Sequence, residues 1–319
     1  MEAMTSDTLK PAERETFYFV GVTTAKSSIM KVFPRWVQYL GLGDVTIQGI
    51  DCKWHDEPEV YRKVVRFIKE DPKSLGGLVT THKLDLLAAA KDLFDGLGPY
   101  AARLEEISSI SKRGNELWGH AMDPTTSGLS LDAFIPRGYW KNGADLCLLG
   151  AGGSSLALTM HLMENVSPAS GPARIVVTNR SKPRLDAMKR IHTTLNPGYI
   201  VEYHHCPEPQ DNDVILTRLS EGSVVVNATG LGKDAPGSPL TNTAVFPMNG
   251  YAWEFNYRGD LVFLDQAQAA SQSRNLKIED GWVYFIHGWT RVIAEVFHIA
   301  IPTEGPVFDD LSRLAAETR

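Results

Sequence analysis

The stretch 146–157, Leu-Cys-Leu-Leu-Gly-Ala-Gly-Gly-Ser-Ser-Leu-Ala, constrains this chain more than any other. Its apolar run is too short and too well bounded for a helix and reads as a buried strand. Gly150 permits a tight turn, and Gly152 lets backbone approach a pyrophosphate. Ala151 between them is small, and Gly153, Ser154 and Ser155 let the next helix start close to the strand. That helix, about 154–163, aims its free N–H groups and its dipole at the same place. Alone, such a turn is also what an ordinary tight strand–helix connection needs. Here a second strand, 174–178, follows after a helix-length interval, as a dinucleotide-binding βαβ unit requires, and that context favours the dinucleotide reading.

A length of 319 residues makes two domains the default. With 43% hydrophobic and 22% charged residues the composition is that of a globular protein. A net charge of −6 gives no reason to expect nucleic acid or an anionic membrane as partner, so a bound anion needs a local cationic site. Cys52, Cys147 and Cys206 are widely spaced and odd in number, which suits a reducing compartment without disulfides or a zinc framework. No apolar run approaches ~18 residues, so no membrane span is expected. The first ~15 residues lack the apolar stretch of a secretory signal, which makes the cytoplasm the expected location and the N-terminus a loose segment.

Along the chain, the segment 17–22 reads as a strand running into the small polar loop Thr23-Thr24-Ala25-Lys26-Ser27-Ser28. An amphipathic helix follows to about Tyr39, then a strand over 44–52, a helix over 57–69, a strand over 76–80 and a helix over 84–94. Two short strands, 107–111 and 116–120, flank a Lys-Arg-Gly-Asn turn. After the glycine-loop strand come strands at 174–178, 199–205, 223–227 and 252–257 and helices at 183–195, 214–219, 263–273, 282–299 and 308–316. This alternation is α/β.

NAD binders place an acid after the second strand of such a unit, and NADP binders place cations there. This chain has Asn179-Arg180-Ser181-Lys182-Pro183-Arg184, with no carboxylate in the turn. Arg180 can hold a phosphate through paired N–H bonds, and Lys182 and Arg184 add charge. A cation at a helix N-terminus opposes the dipole, which disfavours reading these residues as mere solvated surface. NADP is therefore the expected cofactor. Asn227-Ala228-Thr229-Gly230 ends a further buried strand, and ligands sit outside the carboxyl ends of such strands, so Thr229 and Gly230 read either as lining the nicotinamide or as the small residues that any tight turn needs. His204-His205-Cys206 has the look of a metal cluster, but adjacent strand residues point to opposite faces, and no metal site is assigned.

Taken together, several segments resemble the shikimate dehydrogenase family. The matches are Gly150–Gly153, Asn179-Arg180-Ser181, Asn227-Ala228-Thr229, Lys83 in Val79-Thr80-Thr81-His82-Lys83, and Asp123 in Ala121-Met122-Asp123-Pro124-Thr125-Thr126-Ser127-Gly128. Tyr257, in Glu254-Phe255-Asn256-Tyr257, resembles the family's tyrosine after the nicotinamide strand. The matches cover nearly the whole chain in the right order. Taken alone, Lys83 reads as a solvated lysine at a helix start and Asp123 as a helix cap. The resemblance implies that they are instead a catalytic pair. Oxidising a secondary alcohol needs a base for the hydroxyl proton, reduction needs an acid in the same place, and a tuned lysine can serve as both. No metal is needed for that chemistry.

The resemblance also implies substrate contacts, and here the chain departs from the family. Ser27 matches the first of two family serines that hold the substrate carboxylate, while Ile29 stands where the second is expected. Gly77 and Ser108 stand where the family has asparagines, and His287 or Gly288 stands near the place of a glutamine. Ser27, Ser28, Thr80, Ser108, Tyr257 and His287 are the expected substrate contacts, with Ser28, Thr24 or His287 as replacement anchors. A site built for particular hydroxyls discriminates strongly, so these exchanges point to weak action on shikimate or to a different small-molecule substrate, a related cyclic polyol or hydroxy acid. Quinate, an aminated shikimate analogue, or a non-catalytic dinucleotide sensor are the alternatives. The expected architecture is an α/β substrate domain (1–123, with helices of 281–319 packed back on it) and an NADP-binding Rossmann domain (124–280). The active site is expected in the cleft between the two domains, and a homodimer is the expected assembly.

Overall fold

The computed structural model describes residues 2–195, 198–233 and 235–318. They group into two compact units, Met1–Met122 with Ile286–Arg319, and Asp123–Phe285.

The first unit opens with β1 (Thr16–Gly21), α1 (Ile29–Leu40), β2 (Thr46–Asp51), α2 (Pro58–Glu70), β3 (Ser74–Val79) and α3 (Lys83–Ala90). β4 (Gly96–Leu97), α4 (Pro99–Leu104), β5 (Ser109–Arg113) and β6 (Glu116–His120) complete its sheet, ordered β2-β1-β3-β5-β6-β4. β1 pairs in parallel with β2 and β3, while β5 runs antiparallel to β3 and β6. The parallel strands therefore deliver their carboxyl ends, and the loops that follow, to one edge.

α1 forms because Ile29, Val32, Phe33, Trp36 and Val37 recur at helical spacing and are all buried. Gly41 ends it in the left-handed conformation. The N-terminus is not loose as expected: the Met4 N–H donates to the Gly49 carbonyl at 2.9 Å, and the Asp51 N–H donates back to Met4 at 2.8 Å. The edge of β2 offers unpaired backbone groups, and Met4, 8% exposed, takes them.

The second unit contains α5 (Asp123–Phe134), β7 (Leu146–Leu149), α6 (Gly153–Asn165), β8 (Ile175–Asn179), α7 (Lys182–Leu195), β9 (Val201–His205), α8 (Pro209–Leu216), β10 (Val224–Asn227), β11 (Tyr251–Glu254), α9 (Val262–Arg274) and β12 (Lys277–Glu279). Its six strands pair in the order β12-β11-β10-β7-β8-β9, every pairing parallel. This is the doubly wound dinucleotide order, with the reversal between β7 and β10. β7 and β10 are buried at every position, as central strands covered on both faces must be. The strand expected over 252–257 stops at Glu254, so Tyr257 lies beyond it in a loop. β12 and β4 were not legible, being three and two residues long.

The remaining helices are α10 (Trp282–Phe297) and α11 (Pro306–Ala316). In the first unit, Trp289 and Phe297 of α10 pack on Phe17 of β1. α11 lies on α1 there, with the Trp36 indole donating to the Leu311 carbonyl at 2.9 Å. Among the described residues, no helix is long and apolar enough to cross a membrane.

Candidate active site

In the second unit the carboxyl ends of β7, β8 and β10 carry the glycine loop, the cationic turn and the Asn-Ala-Thr-Gly turn side by side. Gly150 has φ +111°, a conformation that suits glycine, and an added Cβ would lie 3.0 Å from the Ala228 carbonyl oxygen. Gly152 caps α6 with no side-chain hydrogen bond, and a Cβ there would meet nothing within 4 Å. The first N–H groups of α6 thus face open space beside a glycine whose missing side chain leaves room for a ligand.

Buried Ser155 donates to the Gly150 carbonyl at 2.6 Å, fixing the loop from below. The Ala151 N–H donates to Asn179 Oδ1 at 3.3 Å, and Asn179 Nδ2 donates to the Ser181 carbonyl at 3.1 Å. One asparagine so ties the glycine loop to the cationic turn. Arg180, Lys182 and Arg184 are all exposed, and the first turn of α7 holds no acid. These residues fit a dinucleotide bearing an extra phosphate: an open cradle at an uncapped helix start, with three cations at the end of the second strand.

Asn227 is buried, and its Oδ1 accepts from the Thr229 N–H and hydroxyl at 3.1 and 2.6 Å. Ala228 and Thr229 are half-buried and Gly230 is exposed. Beneath this turn lie Glu254 and Asn256, two residues the sequence reading passed over. Burial pushes the Glu254 carboxyl up to about 7. The signal available was an acid ending an otherwise apolar strand, Tyr-Ala-Trp-Glu. Tyr257 packs its ring on Phe285 at 4.6 Å, with the Arg258 guanidinium over it at 5.9 Å.

The first unit gathers Ser27, Ser28, Thr80, Lys83 and Ser108 at the carboxyl edge of its parallel strands. Ser28 is the N-cap of α1 with no side-chain cap hydrogen bond, so its hydroxyl is not consumed by the helix. Ile29 is fully buried. Thr24 is not an anchor: it is 1% exposed, and its N–H and hydroxyl donate to Asp51 Oδ1 at 2.9 and 2.6 Å.

Lys83 is half-buried and opens α3. It follows a tight turn in which Thr81 has φ +64° and the His82 N–H donates to the Thr80 carbonyl at 2.6 Å. A threonine in the left-handed region is a strained residue, and it sits two positions before Lys83. His82 is buried, with Nδ1 at 3.1 Å from the Tyr61 hydroxyl, and burial lowers its pKa.

Ser108 is 3% exposed, and its Oγ accepts the Met122 N–H at 2.8 Å, so the backbone takes part of its bonding capacity. Gly77 is interior to β3, where a Cβ would fall 2.0 Å from the Tyr18 carbonyl oxygen, so no side chain fits there. Asp123, the residue after Met122, is the first of α5, and the Thr126 and Ser127 hydroxyls donate to its carbonyl. His287 is 1% exposed, its ring stacked 4.4 Å from Phe308, its Nδ1 unpartnered and its pKa lowered by burial to about 4.

His204, His205 and Cys206 do not converge: His204 pairs with Glu202 at 3.1 Å, His205 lies 3.2 Å from the Arg180 carbonyl, and Cys206 is buried. A cavity of about 520 Å³ lined by Lys69, Ser74, Lys112 and His298 opens at the amino end of β3, the opposite end of that strand from Lys83.

No family model matches the chain. It is 27% identical over 188 residues to the NADP(+) shikimate dehydrogenase of Symbiobacterium thermophilum, a match covering 58% of this chain and 60% of that one. The shikimate dehydrogenase of Streptococcus thermophilus is 25% identical over 154 residues, 50% of its length. The chain thus spans half to three fifths of the curated relatives it matches. In fold it is similar to shikimate 5-dehydrogenase from Thermus thermophilus, solved with NADP(H) and shikimate, at TM-score 0.69 and 21% identity over 95% of this chain and 99% of that one. It is also similar to the 5-ketofructose reductase of a Gluconobacter species, at TM-score 0.67 and 14% identity over 96% and 99%.

Proposed function

We propose that this chain, which resembles the shikimate dehydrogenases in sequence and in fold, is an NADP-dependent oxidoreductase. It would interconvert a secondary alcohol of shikimate, or of a related cyclic polyol or hydroxy acid, with the ketone. The observation that carries the reading is the open Gly152 cradle joined through Asn179 to a turn bearing Arg180, Lys182 and Arg184. That combination is what a phosphorylated dinucleotide lying across it requires. When bound, NADP supplies the hydride acceptor or donor.

Lys83 is the proton-transfer group in this proposal: as a free amine it takes the substrate hydroxyl proton, and as an ammonium it returns one. Asp123 orients it. Residues 1–123 with the helices of 281–319 hold substrate, and 124–280 hold cofactor. Ser27, Ser28, Thr80, Ser108 and Tyr257 are the contacting side chains; His287, 1% exposed with Phe308 stacked on its ring and its Nδ1 buried, is not one of them. A cytoplasmic location and a homodimer belong to the same proposal.

The test is reduced-nicotinamide absorbance with NADP or NAD against shikimate, quinate and carboxylate-free cyclic polyols, for the parent chain and Lys83→Ala. The reading requires NADP-linked turnover of a panel member, abolished in Lys83→Ala while NADPH still binds. Full activity in that variant refutes the assignment of Lys83. One observation favours a second reading, a substrate without a carboxylate: Ile29, buried and apolar, stands where a carboxylate-holding serine is expected. The 5-ketofructose reductase shows that the same fold serves a protein named for such a substrate. Turnover of the polyols alone would select this reading.

A further inference from the structure

We propose that Glu254 is the positioning residue of the nicotinamide half of the site, holding the Asn227–Gly230 turn at its height above the sheet; the role rests on the dinucleotide reading above.

The geometry is a closed relay at the ends of two neighbouring strands. Asn227 Nδ2 donates to Glu254 Oε2 at 2.6 Å. Glu254 Oε1 accepts from the Asn256 N–H at 2.8 Å and from Asn256 Nδ2 at 2.7 Å. Asn256 Nδ2 also reaches the Thr229 and Leu231 carbonyls at 3.1 and 3.3 Å. Asn227 Oδ1 is taken by the Thr229 N–H and hydroxyl, which turns its amide nitrogen toward Glu254. Each oxygen of one carboxylate therefore holds a different residue, and both residues hold the turn.

Glu254 and Asn227 are 0% exposed and Asn256 is 6% exposed. Desolvating a carboxylate is costly unless its oxygens are matched by donors, so a carboxylate kept here marks a place where backbone position matters. Burial pushes it up to about 7, and the donors from Asn256 and Asn227 pull against that rise. A second observation points the same way. A Cβ on Gly150 would lie 3.0 Å from the Ala228 carbonyl oxygen and 3.1 Å from Thr229 Cγ2, so the turn is packed against the glycine loop. If the relay loosens, the surface offered to the nicotinamide shifts while the cationic turn beyond β8, held by its own bonds from Asn179, stays in place.

Glu254→Gln tests this. A glutamine offers one oxygen and one NH2, so whichever way it lies, an N–H faces either Asn227 Nδ2 or the Asn256 donors. Binding of NADPH and of adenosine 2′,5′-bisphosphate, which lacks the nicotinamide, is titrated on the full chain, together with kcat. The expected result is NADPH affinity about tenfold or more weaker and kcat lowered, with adenosine bisphosphate affinity within about twofold of the parent. Unchanged NADPH binding and kcat overturn the proposal. So does equal weakening of both ligands, which would mean damage to the unit as a whole. Should Glu254→Gln not fold, Glu254→Asp, which keeps both oxygens and draws them back by one methylene, is judged by the same split. Failure of the parent chain to bind adenosine bisphosphate would overturn the cofactor reading itself, and this role with it.

Discussion

Gly150 and Gly152 stand two residues apart in one loop, yet alanine at each should have different consequences. Gly150 has φ +111°, and its Cβ would press on the Ala228 carbonyl oxygen at 3.0 Å and its carbon at 3.1 Å. A side chain forced into that backbone region costs about 1–3 kcal/mol, before Ala228 moves. At roughly 2–4 °C per kcal/mol in a domain of this size, Gly150→Ala should lower Tm by several degrees. Gly152 has φ −90° and ψ −173°, extended backbone open to any residue, and its Cβ meets nothing within 4 Å. Gly152→Ala should leave Tm nearly unchanged, since the unfolded chain loses about 0.4–1 kcal/mol of conformational freedom, while alanine is the poorer N-cap of α6 by a similar amount. Its methyl occupies the space assigned to the pyrophosphate, and displacing a closely packed group by one methyl costs about 1–3 kcal/mol. That corresponds to NADPH affinity weakened about 5- to 150-fold. The measurements are a thermal melt without ligand and a titration of NADPH fluorescence. A Gly152→Ala protein that melts like the parent and binds NADPH equally well would refute the cradle.

Two further outcomes are expected. Arg180→Leu should weaken NADP about 10- to 100-fold while leaving NAD nearly unchanged, the size of one or two lost charge-assisted bonds; equal loss for both cofactors would remove Arg180 from the phosphate. His192 should make the fold acid-sensitive. Its Nε2 lies 2.8 Å from Thr159 Oγ1, which already donates to the Ser155 carbonyl, so the ring N–H points to Thr159 and Nδ1 accepts from the Tyr203 hydroxyl at 2.7 Å. Protonation of Nδ1 would make it a donor and require the Tyr203 hydroxyl to turn its hydrogen away and accept, and burial holds the imidazole down to about 4. The folded value is depressed, so the unfolded chain takes the proton first. Stability is present above about pH 6.5 and is lost as the pH falls toward 4, by about 3 kcal/mol in full. Glu254 and Glu279, raised to about 7 by burial, change stability in the opposite sense with pH. Denaturant unfolding of parent and His192→Gln at several pH values therefore isolates the effect, and parallel pH dependences would refute it.

What was legible follows from how far each signal extends along the chain. β7, α6 and the glycine loop are contiguous, and their apolar run and small residues have one economical reading. The parallel order of the second sheet follows from that alternation. What was missed depends on partners far apart in sequence. Thr24 reads as a polar loop residue open to a ligand, and only the fold brings Asp51 beneath it. Ser108 reads as a substrate contact, and only the fold shows that its Oγ also accepts the Met122 N–H. His287 falls on the amphipathic helix α10, whose aromatic stripe gives no sign that Phe308, some twenty residues on, covers the imidazole. Glu254 was passed over because an acid ending a strand is usually solvated, and nothing local shows that Asn227 and Asn256 close over it.

The two units meet one physical problem with the same device. A loop at the carboxyl end of a parallel strand has no ladder to hold it, and a ligand-facing loop is useful only if its backbone is fixed. In the first unit Asp51, the last residue of β2, accepts from the N–H and hydroxyl of Thr24 and so pins the loop after β1. In the second, Glu254, the last residue of β11, pins the turn after β10 through Asn227. Each acid comes from the neighbouring strand and acts from beneath, leaving the outer face of the loop to other side chains. Backbone position and surface chemistry are then set by different residues. Ser27 and Ser28 can be exchanged for other groups without moving the chain that carries them, whereas Thr229, whose hydroxyl donates to Asn227 Oδ1, belongs with the acids to the groups that hold the backbone. Asp51→Ala or Glu254→Ala would move the loop and leave its surface chemistry the same. A substrate change should therefore follow from substitutions on the outer faces of these loops, and a loss of every substrate from substitution of the acids below.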